Sequence, residues 1–182
     1  MTEPKDMPHS RTEIGKAELE LSATPFFNDI IRELTGALQD VVGQRETEGF
    51  ISLVGARIGV SINQSYRNAL EVAELSREQI SQVLVDLKRR ISGQFQVEYE
   101  DEEKIVLSNS RCPFGSNVID RPSLCMMTAN VFGRIVADNT GYARVDIEEA
   151  IARGDKGCKV IVYFNPPERP DNVSKEFFRV SS

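Results

Sequence analysis

"SREQISQVLVDLKRRISGQFQVEYEDEEKIVLSN", residues 76–109, changes its hydrophobic period halfway along, and that change decides the fold. Ser76 and Gln79 have the spacing of a capping box, and Ile80, Val83, Leu84, Leu87 and Ile91 follow at helical intervals, so a helix is predicted here. Its basic end, Lys88, Arg89 and Arg90, is read as complementing the negative pole of the helix dipole. Beyond Gly93 the apolar residues alternate instead, at Phe95, Val97 and Tyr99. An acidic turn follows, then "IVLSN", and the whole reads as a hairpin. The acidic run at 98–103 is read as its solvated tip rather than as a cation site.

Upstream of this switch the pattern is helical. "TPFFNDIIRELTGALQDVVG" offers Thr24 as N-cap, Pro25 at the first helical position, and an apolar series at Phe27, Ile30, Ile31, Leu34, Leu38, Val41 and Val42. "EGFISLVGARIGVSINQSYRNAL" reads as a second helix, apolar around more of its circumference. Its Gly55 and Gly59, one turn apart, mark either a close helix crossing or a dimer seam. Residues 1–21 are polar and are expected to be a mobile tail; the single histidine, His9, lies there and is read as solvated.

Downstream, "RPSLCMMTANVFGRIVADN" is a further helix, with Leu124, Met127, Val131, Ile135 and Val136 available for burial. "YARVDIEEAIARGDKGCKVIVYF" is a second hairpin turning at "ARGDKG". The expected class is therefore α+β: N-terminal helices on a small antiparallel sheet of two hairpins with an inserted helix. One domain is expected over 22–165, helical over 22–93 and sheet with inserted helix over 94–165, and 166–182 is expected as an extended tail.

The totals narrow the function. With 22 basic and 28 acidic residues the net charge is −6, which repels nucleic acid unless basic residues gather on one face. No apolar run is long enough to span a bilayer and the N-terminus lacks signal-peptide character, so a cytoplasmic location without membrane attachment is expected. No phosphate-binding loop, GxSxG or HExxH is present, and an enzyme is not expected.

Three cysteines are too few for a disulfide framework. Cys112 precedes a proline in a loop, Cys125 falls in the first turn of a helix where the dipole favours thiolate, and Cys158 opens a strand. A loop, a helix start and a hairpin edge can converge at one end of a sheet, so these residues are candidate ligands of zinc or an iron–sulfur cluster. Glu149 and Asp155 are candidates for a fourth position. The same residues also fit buried structural thiols or a redox switch.

The segments "CPFG", "LCMMTANVFG" and "RGDKGC" closely resemble the methanogen output domain family over roughly residues 25–165. That resemblance implies a regulatory module acting on a signalling protein such as a kinase or transcription regulator. More distantly, "GYARVDIEEAIARGDKGC" is similar to four-vinyl-reductase-type domains of the nitric-oxide-signalling and Golgi-transport fold, which sense hydrocarbons or phenols beside a zinc. Cys125 and Cys158 match two of their cysteines, while Ala150 stands where a third is usual. "RCPFG" followed by Cys125 also resembles the cysteine domain of Suf-type iron–sulfur repressors, without their winged helix. The resemblances together imply a homodimeric sensor or output domain that binds a metal, cluster or small apolar ligand. The alternative is an enzyme or accessory protein acting on a tetrapyrrole or aromatic substrate.

Overall fold

The computed structural model describes residues 22–167 and 174–180. The N-terminal tail expected at 1–21, with His9, lies outside the described residues. Three helices lead, α1 (Ala23–Val42), α2 (Gln44–Leu70) and α3 (Arg77–Arg90), followed by strands β1 (Phe95–Glu100) and β2 (Lys104–Asn109). Helix α4 (Cys125–Thr140) comes next, then β3 (Tyr142–Glu149), β4 (Cys158–Tyr163) and β5 (Lys175–Phe178). The five strands form one sheet in the order β1-β2-β4-β3-β5, every neighbouring pair antiparallel. The α+β class expected from the sequence is the observed one.

Helix α3 begins as its signature requires: the Ser76 hydroxyl accepts from the Gln79 N–H, and the Gln79 side chain accepts from the Ser76 N–H. Its Ile80, Leu84 and Leu87 pack, with Phe132, Ile135 and Val136 of α4, on the inner sheet face formed by Ile105, Leu107, Val145, Val160 and Val162. Helix α4 is buried nearly all round, between the sheet and α2. Asn139 pins this junction, its Nδ2 donating to Asn63 Oδ1 (2.8 Å) and its Oδ1 accepting from the Leu75 N–H (2.8 Å). The acidic hairpin tip is local structure, with Asp101 Oδ1 accepting from the Glu103 and Lys104 N–H groups (2.8 Å each).

The structure decides or revises four readings. Helix α1 starts at Ala23, one residue before the expected Thr24 cap, with Ser22 preceding it and Pro25 inside the first turn, where the missing N–H breaks no helical bond. The Gly55/Gly59 pair serves a crossing within the chain: a Cβ at Gly59 would stand 2.8 Å from Arg134 Cβ and 3.2 Å from Val131 Cα, so α2 and α4 touch here through backbone. The segment expected as a C-terminal tail supplies β5, whose Phe177 ring would meet a Cβ at Gly133 at 2.2 Å.

The fourth revision concerns α1. Its apolar stripe faces solvent, with Leu34 61% and Val41 82% exposed, while Ile31, Thr35, Gly36 and Gln39 turn inward. The inward face of α1 packs Ile31 on the small cluster of Val118, Leu124 and Ala152 and bonds the loop after β2. Arg32 Nη1 donates to the carbonyls of Asn117 (2.8 Å) and Ile119 (2.9 Å), and Asn117 Nδ2 donates to Asp29 Oδ1 (2.8 Å).

Candidate functional site: a three-cysteine pocket

Strand β2 ends at Asn109, directly opposite Cys158 at the start of β4. The Asn109 side chain clamps this end of the sheet, its Oδ1 accepting from the Cys158 N–H (3.0 Å) and its Nδ2 donating to the Arg111 carbonyl (3.2 Å). The chain then turns through Cys112 and Pro113, closed by the Gly115 N–H donating to the Cys112 carbonyl (2.9 Å), and returns to Cys125, the first residue of α4. The three cysteines, all half-buried and free of disulfides, line one pocket together with Phe95, Phe114, Val118, Leu124, Ile147 and Ile151. The pocket holds about 30 Å³ of interior space, room for a water or two and not for an aromatic molecule unless the loop moves. The convergence expected from the sequence is therefore present in the fold.

Beside this pocket stands a residue that the sequence reading assigned elsewhere. Lys88 is 4% exposed, not a solvated partner of the helix dipole. It continues the Ile80–Leu84 stripe by one further turn, so the period itself points it inward. Its Nζ donates to Thr128 Oγ1 (2.7 Å) and lies 5.3 and 5.2 Å from the ring centres of Phe95 and Phe132. Among the described residues no carboxylate pairs with it. Burial lowers its pKa to about 8, and the three cysteines, Cys112 first, then Cys158 and Cys125, draw it back upward.

The thiols behave differently from the helix-dipole expectation. Burial, reinforced by Cys158 and Cys112, pushes Cys125 up to about 12, and burial raises Cys112 as well. The 3-10 turn Pro122–Leu124 runs directly into α4, so Cys125 does not sit at a free helix start, and desolvation outweighs the dipole. Of the candidate fourth ligands, Asp155 Oδ2 accepts from the Ala150 N–H (2.8 Å), closing the β3–β4 connection, and Glu149 lines an outer groove together with Cys158, Lys156 and Lys159. Among the described residues no three cysteine, histidine or acidic side chains meet in the geometry of a single metal ion.

The chain is thus a helical layer on an antiparallel sheet with a cysteine-lined pocket at one end of that sheet. The chain belongs to the methanogen output domain 1 family, whose model matches residues 30–163, and it is a signalling domain of that family. No curated protein sequence matches the chain. Among solved structures it is similar to a trafficking protein particle complex subunit 3 from Naegleria fowleri, a protein covalently bound to palmitic acid, at 9% identity and a TM-score of 0.59, covering 85% of this chain and 99% of that one. It is similar too to the phenol-responsive sensory domain of the transcription activator PoxR, in complex with phenol, at 11% identity and a TM-score of 0.55, covering 82% of this chain and 78% of that one. At these identities the likeness establishes the Golgi-transport fold that the sequence led us to expect. No helix among the described residues is long and apolar enough to cross a membrane.

Proposed function

We propose that this signalling domain receives its input at the Cys112–Cys125–Cys158 pocket, where the three residues as thiolates hold an iron–sulfur cluster, and that occupancy is relayed to a partner signalling protein. The observation that carries this reading is the meeting of three cysteines in one pocket, with the buried Lys88 behind it bonded to Thr128 of the same lining and paired with no carboxylate among the described residues. A buried cation without a counter-charge is costly, and with three neutral thiols Lys88 has none. Thiolates bound to a metal centre supply that charge. The donor type suits such a cluster, since thiolates are its usual ligands; with about 30 Å³ in the hollow, taking it up requires the Cys112 loop to open.

A cluster of this kind supplies electron transfer or reaction with small oxidants at an iron that cysteine does not hold. The protein's own part is to position the thiols through Asn109, exclude water with the apolar walls, and balance charge through Lys88. A second reading, a weakly acidic aromatic ligand in place of the cluster, is favoured by the Phe95, Phe114 and Leu124 lining and by the likeness to a phenol-responsive domain.

The test is purification of the chain without oxygen, followed by its visible spectrum and assays for iron and acid-labile sulfide. Charge-transfer absorption that falls with each of Cys112→Ser, Cys125→Ser and Cys158→Ser is the expected result. A colourless, iron-free protein stabilised by added phenol supports the second reading, and a colourless protein indifferent to phenols and metals refutes both.

A further inference from the structure

We infer that the hollow of the cysteine pocket, in the metal-free chain, is a binding site for one small monovalent anion of the halide, cyanide or hydrosulfide class. The inference deepens the reading of this pocket as the input site and rests on the pocket itself, not on a cluster filling it.

The charge around the hollow has one sign. None of its lining residues is acidic. Beyond desolvation and the other cysteines, the charged side chains that act on Cys125 are Arg153 and Lys88, and the one that acts on Cys112 is Lys88. Both are cations, and among the described residues no carboxylate is paired with Lys88.

The Lys88–Thr128 bond gives that charge a direction. An ammonium has no lone pair to offer, so Nζ donates and Thr128 Oγ1 accepts (2.7 Å). The hydroxyl keeps its own proton, and among the described residues no acceptor takes it. Thr128 lines the hollow, while Lys88 stands behind it with Nζ over the rings of Phe95 and Phe132. The wall therefore offers an O–H donor polarised by a buried cation. An anion in the hollow accepts from Thr128 and supplies the counter-charge that Lys88 lacks.

Size and hydration select the class. About 30 Å³ holds a water or two, which suits a monatomic or diatomic ion and excludes phosphate and sulfate. The walls of Phe114, Val118, Leu124 and Ile151 replace none of an ion's water contacts, so the ion that enters is one that dehydrates readily.

Thermal melts of the full chain test this, after chelator treatment and in halide-free buffer at pH 7. Sodium bromide is the probe and sodium sulfate at equal ionic strength the reference. The wild-type midpoint should rise by about 5–10 °C at a hundredfold excess of bromide over its dissociation constant, with sulfate giving no saturable rise. Lys88→Met should abolish the saturable response whatever its own starting midpoint, and Thr128→Val should weaken bromide binding about 10-fold. Crystals soaked in bromide should show its anomalous signal inside the hollow. A midpoint that bromide does not move overturns the inference, as does a rise that Lys88→Met shares in full, since that is a general salt effect. Iron assays keep the two readings apart. A chain that responds to bromide but never holds iron fails the cluster reading alone, and one that holds a cluster but ignores bromide when emptied fails this inference alone.

Discussion

Lys88→Met in the metal-free protein isolates the cost of holding a charge beside the cysteine pocket. The lowering of the lysine from 10.5 to about 8 corresponds to about 3 kcal/mol of unfavourable interaction when it is protonated. Methionine fills the same unbranched volume against Phe95 and Phe132, and the variant forfeits the hydrogen bond to Thr128, worth about 1 kcal/mol. The variant should therefore be more stable than wild type by about 2 kcal/mol at pH 6. The sign depends on pH in a defined way. Below pH 8 the lysine is charged in both states and the penalty is complete; between about 8 and 10.5 the unfolded chain retains a proton that the folded one has lost, so the penalty fades as pH rises; above 10.5 it is gone. Urea denaturation of chelator-treated wild type and variant at pH 6, 8, 10 and 11 measures the difference directly. A variant less stable than wild type at pH 6, or a gain that persists undiminished at pH 11, refutes the argument. In cluster-loaded protein the order should invert, with the variant losing iron faster under chelator.

Two glycines on α2 should respond oppositely to alanine. Gly59→Ala meets Arg134 Cβ and Val131 backbone and should cost about 1–3 kcal/mol, whereas Gly49→Ala has nothing within 4 Å and should stabilise by about 0.5–1 kcal/mol, both read from thermal melts. In metal-free protein at pH 8, iodoacetamide should alkylate Cys125 and Cys112 more slowly than an unfolded control, because burial holds both as thiols; mass spectrometry follows the modification, and faster labelling than the control contradicts the assignment. Arg32→Ala removes two hydrogen bonds to loop carbonyls and should raise hydrogen exchange over residues 113–119 while leaving the sheet protected.

Where the sequence was informative, local chemistry determined the outcome. The capping box at Ser76, the change of period at Gly93 and the turn residues of "ARGDKG" each bias their own backbone, and the helices and hairpins fall where those signals lie. The meeting of three cysteines was also legible, because antiparallel topology brings a loop, a helix start and a strand start to one end of a sheet. The α1 face was not. A period of 3.6 shows that a helix has an apolar side, but not whether this chain or another molecule covers it. Lys88 was misassigned although it lies on the Ile80–Leu84 stripe, since lysine at a helix end satisfies the dipole rule equally well and only tertiary burial separates the two. The thiol pKa values went against expectation for a related reason: the helix dipole is a local quantity, while desolvation depends on everything packed around the sulfur. Strand β5 escaped because "KEFF" is too short to show a period, and its place depends on Gly133 leaving room for Phe177.

The pairing of β2 with β4 has a consequence for how the protein is made. These strands are neighbours in the sheet, yet Asn109 and the Cys158 it clamps are separated by α4 and β3, so their register is a long-range contact that closes late in folding. During synthesis Cys112 and Cys125 emerge well before Cys158, and for that interval the growing chain offers two thiols and an unpaired edge of β2. Any group that requires all three sulfurs can be installed only after β4 has docked. If the pocket takes up the proposed cluster, it does so in a chain that is already folded, with Lys88 already buried beside it.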